Sequence, residues 1–401
     1  MTEPTKTRAG ARGSTRRSVL KAGLALGAFA GATRFALPAY AAEKPIKVGA
    51  VLPFSGGLEL FGNQAKLGLD LAAREINDGG GIMGRPLEIV YEDNRTDPKT
   101  SVEATTKLIR RDRVIAVTGP ITSNARDAMA PTIKRLKTPL LYATNYEGGA
   151  CGRYIFCFNT VPNQELAKLL PYMNRHAGKS YYMFGADYVW PQRMFETARG
   201  IIKGLGGETR KVEFTPWGVK EFAPVIRRIA ESGAKVLVFA LPGADGITFI
   251  KQAESFGLLK TVTVAFLGFS EAYLGAFGKG GGQNMWVTVP LVASSDEEGV
   301  KDFVARVRKN AGKEVTVSHY VMTHYNAMNA LKAGLEKSGK INREALVDGM
   351  AGLTIDSPTG EVAIGAESHH VTLNMFLAKT EGAGLKTVEA LGSLAPESGC
   401  G

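Results

Sequence analysis

"DGGGIMGRPLEIVYED" (residues 78–93) carries Gly79, Gly81 and Gly84 at the spacing of a dinucleotide-binding loop. Such a loop grips a phosphate only when a strand enters it and a helix leaves it, because the anion sits on the N-terminus of that helix. The flanks run in the opposite order. Upstream, "FGNQAKLGLDLAAREIN" (61–77) sets Leu69, Ala72, Ala73 and Ile76 three and four residues apart, the apolar stripe of a helix. Downstream, "PLEIVYED" alternates Leu87, Ile89 and Tyr91 with polar neighbours, as a strand does. The glycines therefore end a helix. Gly79, Gly80 and Gly81 are predicted to be left-handed residues closing its C-terminus, and Gly84-Arg85-Pro86 to turn into the strand.

The same alternation runs along the chain from Ile46. "IKVGAVLPF" (46–54), "VIAVTGP" (114–120) and "PLLYAT" (139–144) read as strands, with helices at 96–112, where Asp97 caps and Pro98 opens the first turn, and at 123–136. After "IFCFNTVPNQ" (155–164) the pattern restarts: strands at 180–188, 208–214, 235–241 and 262–269 alternate with helices at 191–206, 221–233 and 246–257. A long helix (318–339), a short one and a hairpin-like "GEVAIGAESHHVTLNMFLAKTE" (360–381) follow. The expected fold is α/β, two doubly wound parallel-sheet lobes with a cleft between them. Short crossings near 159–164, 287–293 and 356–362 divide the chain into lobe 1 (42–160 with 291–358) and lobe 2 (161–290 with 359–396).

The 401 residues, 44% hydrophobic and 22% charged, suit a globular protein with a large core. Of the formal charge of +11, six units lie in the first 41 residues, where seven basic side chains face only Glu3. No basic run interleaved with aromatics remains elsewhere, so nucleic acid is not an expected partner. Residues 1–41 read as a signal peptide. Arg16-Arg17 precede an apolar stretch at 22–33, too short to span a bilayer at roughly 20 residues, and Ala39-Tyr40-Ala41 form a small-x-small cleavage site. The paired arginines with Val19, Leu20 and Lys21 resemble a twin-arginine signal, with a basic Sec signal as the alternative. The expected location is the periplasm. Cys151 and Cys157 either bridge a short loop or stay free, and Cys400 has no evident partner. The cysteine and histidine spacings match no zinc site, so no metal or cofactor is expected. Nothing assembles a catalytic set either, so no enzyme is expected.

The opening "IKVGAVLPFSGGLELFGNQAKLGLDLAAREINDGGGIMGRPLEIVYEDNRTDP" is similar to the start of type I periplasmic binding proteins, the solute receptors of ABC importers for branched-chain amino acids and amides. The resemblance covers nearly the whole chain after residue 41. It implies a two-lobed receptor that takes a small-molecule solute in the interlobe cleft and passes it to a membrane permease. Tyr142, Thr144, Tyr146-Glu147-Gly148 and Pro162-Asn163-Gln164 resemble the urea and short-chain-amide branch, whose Tyr-Glu-Gly element branched-chain amino-acid receptors usually lack. Ala150 departs from that branch, which often carries an acidic residue there. The resemblance thus implies urea or a short-chain amide as solute. The alternatives are a receptor for branched-chain or other amino acids and, in another class, an amidase or an intracellular amide sensor; the export signal argues against the sensor.

Ligands of open parallel sheets bind beyond the carboxyl ends of strands, which selects the candidate residues. Ser123 opens a helix, as a cap or a solute contact. Tyr142 and Thr144 are expected to face the cleft by the resemblance, with Tyr146 and Glu147 bracing their loop. "GADYVWPQRM" (185–194) puts Asp187 and Tyr188 at a strand end of the second lobe, Tyr188 as a lid over the solute and Asp187 as support. Asp245 and Glu271 follow two further strands and are candidate acceptors for solute N–H groups, with solvated surface carboxylates as the alternative. Trp190, Trp217 and Trp286 are expected to pack rather than to touch solute.

Overall fold

The computed structural model describes residues 44–278 and 281–400. The expected export segment, with its paired arginines and cleavage site, lies outside the described residues. β1 (Ile46–Leu52) is buried along almost all of its length and leads into α1 (Glu59–Asp78). The glycine turn then returns the chain to β2 (Leu87–Asp93), which pairs in parallel with β1. Gly79 corrects the expectation in one detail, because its φ of −80° is ordinary. The left-handed conformation falls on Gly80, Gly81 and Gly84, joined by Met83. At Gly81 a Cβ would come within 2.3 Å of the Arg85 carbonyl oxygen, so the turn admits no side chain there.

α2 (Pro98–Arg110) starts as its sequence predicts, the Asp97 carboxylate accepting from the Thr100 N–H at 2.7 Å. β3 (Ala116–Thr118), α3 (Ser123–Arg135), β4 (Leu140–Tyr142) and β5 (Ile155–Cys157) complete a parallel sheet of order β2-β1-β3-β4-β5. β3, β4 and β5 are short and fully buried between helices, which is how a parallel sheet hides its ladder from water, while β2 forms a half-buried edge.

α4 (Pro162–His176) carries the chain into the second sheet. There β6 (Ser180–Ala186), α5 (Val189–Gly204), β7 (Glu208–Thr215), α6 (Ala223–Glu231), β8 (Val236–Ala240), α7 (Gly243–Ser255), β9 (Thr263–Phe266), α8 (Ala272–Phe277) and β10 (Met285–Val289) alternate. Three helices then return to the first sheet: α9 (Glu298–Ala311), α10 (His319–Ser338) and α11 (Arg343–Met350). α10 lies along α1 and α11, and at Gly68 a Cβ on α1 would stand 2.1 Å from the Val321 carbonyl oxygen, so glycine sets that close approach. β11 (Thr354–Ile355), β12 (Val362–Ile364), β13 (Val371–Glu381) and β14 (Gly384–Leu394) close the second sheet. Its order is β11-β12-β13-β10-β9-β8-β6-β7, with β14 on β13. β6 to β10 pair in parallel and β13 joins β10 antiparallel, so the second lobe adds a ribbon to its parallel core.

The cysteines follow neither expected arrangement. Cys151 pairs with Cys400 across 249 residues of sequence, and Cys157 is a buried free thiol in β5. The pairing is prepared by the tail. After β14 the Ala395 carbonyl accepts from Asn163 at 2.9 Å and the Ser398 carbonyl from the Gly149 N–H at 2.7 Å, which brings the C-terminus to the loop of Cys151. Among the described residues no helix is long and apolar enough to cross a membrane.

Candidate functional site

The carboxyl ends of β3 and β4 in the first lobe face those of β6, β8 and β9 in the second across a narrow cleft. From the first lobe it is lined by Leu58, Phe61, Ile121, Ser123, Thr144 and Asn145, with Tyr320 of α10. From the second it is lined by Tyr188, Trp190, Pro242 and Gly268. The enclosed space is about 20 Å³, room for roughly one water-sized group. A solute held there is compact, or the walls part to receive it. Among the described residues lining it there is no Asp, Glu, Lys or Arg.

Ser123 is the first helical residue of α3; the cap is Thr122, which corrects the capping alternative. The Ser123 hydroxyl donates to Glu147 Oε2 at 2.6 Å, and Glu147 Oε1 accepts from Arg126 at 2.8 Å. Arg126 and Glu147 are both buried, and the guanidinium lies over the rings of Tyr146 and Tyr142. Burial works against the Arg126 charge, but Tyr142, Glu147 and Asp127 outweigh it and raise its pKa. The hydroxyl proton of Ser123 is thus committed away from the cleft. What Ser123 can offer a solute is a lone pair and the N–H of a helix start.

Thr144 lines the cleft, its hydroxyl 3.5 Å from the Pro120 carbonyl. Tyr142 does not, because it is fully buried and donates to the Ile121 carbonyl at 3.0 Å. Tyr146 is buried against His370, its oxygen bonded to His370 Nε2 and accepting from the Ala150 N–H, which braces the loop of Glu147. In the second lobe Tyr188 lines the cleft, and exposed Asp187 accepts from Gln192 at 2.8 Å. Asp245 and Glu271, expected as solute acceptors, lie outside the lining. Asp245 accepts from the Gly218 N–H at 2.7 Å and Glu271 from the Ala293 N–H at 3.2 Å, each bracing a loop. Burial pushes Glu271 up to about 7.

Several lining groups escaped the sequence reading. Trp190, expected only to pack, lines the cleft with its indole N–H buried and without a partner. Its position two residues after Tyr188 at a strand end was the available signal. Asn145, next to Thr144, accepts from Tyr320 at 2.6 Å and donates to Glu165 at 3.4 Å. Burial lifts Glu165 to about 7, against the opposing donors of Gly268, Asn145 and Thr160. Among the described residues no group of three or more His, Cys, Asp or Glu side chains could hold a metal ion.

A family described as periplasmic binding protein matches residues 45–384. The chain is 26% identical to Leu/Ile/Val-binding protein homolog 6 of Brucella melitensis, over 86% of this chain and 90% of that protein. It is 22% identical to the leucine-, isoleucine-, valine-, threonine- and alanine-binding protein of Pseudomonas aeruginosa, over 88% and 92%. Among solved structures, an ABC transporter solute-binding protein from R. palustris in complex with 4-hydroxybenzoate superposes with a TM-score of 0.80 at 23% identity, over 88% of this chain and 98% of that one. A branched-chain amino acid transporter substrate-binding protein from Streptococcus pneumoniae in complex with isoleucine gives 0.77 at 21%, over 88% and 100%.

Proposed function

The chain belongs to the periplasmic binding protein family, and on that premise we propose that it captures a small neutral amide or urea in the interlobe cleft and delivers it to an ABC permease. One observation carries the choice of solute: no ionised side chain lines the cleft. An α-amino acid would bring an ammonium group into a wall with no carboxylate to receive it, at the cost of an uncompensated buried charge. A neutral amide needs one acceptor and one donor. The committed Ser123 hydroxyl supports the first role and the unpartnered Trp190 N–H the second. Thr144 and Tyr188 complete the contacts in this reading; Asp187, Tyr146 and Glu147 support the walls.

A carboxylate is the second reading, favoured by the same Trp190 donor, the helix start at Ser123 and the aromatic lining of Phe61, Tyr188 and Tyr320. In either reading the protein works in the periplasm after export directed by residues 1–41, by the twin-arginine route. Closure is a hinge motion of 42–160 with 291–353 against 161–290 with 354–396, β11 moving with the second sheet rather than with the first lobe as the expected bound of 358 has it.

Thermal shift followed by titration calorimetry tests the choice, with urea, acetamide, butyramide, benzamide, benzoate and leucine as probes. A solute at a hundred times its Kd adds about 2.7 kcal/mol to stability. The expected result is stabilisation by a neutral amide or urea and none by leucine. Benzoate binding more tightly than benzamide establishes the second reading, and leucine binding best overturns both.

A further inference from the structure

Glu165 sits in the first turn of α4, immediately behind the cleft, and is 3% exposed. Its Oε1 accepts from the Gly268 N–H at 3.1 Å and its Oε2 from Asn145 Nδ2 at 3.4 Å. Gly268 follows β9 in the second lobe and Asn145 follows β4 in the first, so one carboxyl group joins two lining residues from opposite walls. Tyr320 holds the other end of the Asn145 amide at 2.6 Å and so fixes which end faces Glu165. No cation contributes to the carboxyl's surroundings.

We propose that Glu165 is a positioning residue that ties the two lobes together in the closed cleft and makes their closure depend on proton uptake. This rests on the reading that solute is held between the lobes. When the walls part, Asn145 and Tyr320 leave with the first lobe, and the carboxyl meets water through the opened cleft. In water a glutamate titrates near 4.5, whereas in the closed cleft burial holds Glu165 near 7. Between those values the closed form keeps a proton that the open form releases. Closure is therefore favoured at low pH and weakened as pH rises through about 7. The titratable group facing the carboxyl from α10 is Tyr320, raised by burial and neutral throughout. Its helix neighbours His319 and His324 are lowered by burial to about 3 and about 4 and do not titrate in this range. Asn145, Gly268 and Thr160, which supply the remaining contacts, carry no titratable group.

Small-angle scattering of the mature protein without any solute, from about pH 5.5 to 8.5, reads closure directly. The radius of gyration is expected to rise as pH passes about 7 in the unaltered protein and to stay at its low-pH value in Glu165→Gln, which is neutral at every pH. A flat profile for the unaltered protein overturns the proposal, as does an identical rise in the variant. Should Glu165→Gln fail to fold, Asn145→Ala takes its place. Loss of Asn145 cuts the tie between the lobes, so the radius of gyration must stand near its high-pH value already at low pH, and a profile identical to that of the unaltered protein overturns the assignment. Because no solute is present, failure here leaves the solute reading standing, and failure of every solute to bind leaves this result standing.

Discussion

Two buried glutamates stand behind the cleft, one in each lobe, and they are held in opposite ways. Glu147, behind Ser123, is paired with the buried Arg126, whose guanidinium lies over two tyrosine rings. Glu165, behind Asn145, has only N–H and O–H donors and no cation. The first arrangement fixes a charge and orients a hydroxyl; the second leaves a proton free to come and go. One wall therefore sets which groups a solute must present, and the other responds to the medium.

The largest expected effect comes from breaking the balanced side. Arg126→Ala leaves the Glu147 carboxylate buried without its partner, a cost of about 3–5 kcal/mol. Denaturant unfolding at neutral pH measures it. Replacing Arg126 and Glu147 together by methionine should restore most of the loss, because an apolar pair has no charge to desolvate. A loss below about 1 kcal/mol in the single variant would mean that Glu147 is not held as a buried ion, and the contrast between the two glutamates would fail.

The unbalanced side predicts a pH effect of the next size. The native state holds the Glu165 proton up to about 7, whereas the unfolded chain releases it near 4.5. Folding therefore draws full benefit from this group below the unfolded value and loses it as pH rises through about 7. The loss amounts to at most about 3 kcal/mol, less if the lobes part and wet the carboxyl. Glu271 adds a slope of the same sign. Glu165→Gln should accordingly gain on the unaltered protein between about pH 5 and pH 8, and parallel stability curves for the two proteins would refute the assignment.

On the second wall, Trp190→Phe should separate binding from folding. The indole N–H is buried and unpaired in the protein, so its loss costs folding nothing, and what the variant loses in stability is the packing of the larger ring, about 1–2 kcal/mol. A solute that accepts from it should bind about 1–3 kcal/mol more weakly, roughly 5- to 150-fold. Calorimetry beside a melting curve shows both. Equal affinity would remove Trp190 from the solute contacts and leave the donor role to the α3 start.

How much of this was legible depended on distance along the chain. The alternation of helix and strand was, because each apolar stripe lies within one element, and the turn at residues 79–84 gave its direction. α9 went unanticipated although Val300, Phe303, Val304 and Val307 carry a helical stripe, since it follows directly on a chain crossing. Ser123, Thr144 and Tyr188 were visible as strand-end residues, and the structure puts them on the cleft. Asn145 gains its meaning from Tyr320, 175 residues away, and Cys151 from Cys400, 249 away, and no local pattern reports either pairing. Asp245 and Glu271 were visible as strand-end carboxylates too, and each sits on a loop N–H outside the lining, because a carboxylate after a strand can brace a neighbouring loop as readily as it can face a ligand.

The smallest effect is the most selective. Since Thr122 caps α3, Ser123→Ala removes no cap bond and should cost folding the Glu147 contact and the longer one from Arg126, about 1 kcal/mol. Its effect on solutes depends on what Ser123 presents. With the hydroxyl proton held by Glu147, the oxygen accepts from an amide N–H, so the variant should lose affinity for a neutral amide by roughly 5- to 10-fold. A carboxylate bound by the α3 N–H groups makes no use of that oxygen, and its affinity should hold. Titrating benzamide and benzoate against both proteins isolates this difference, because the two probes share a ring and differ in the polar group. If the ratio of their affinities is unchanged by Ser123→Ala, the hydroxyl does not select the solute, and the Arg126–Glu147 pair serves the wall's stability alone.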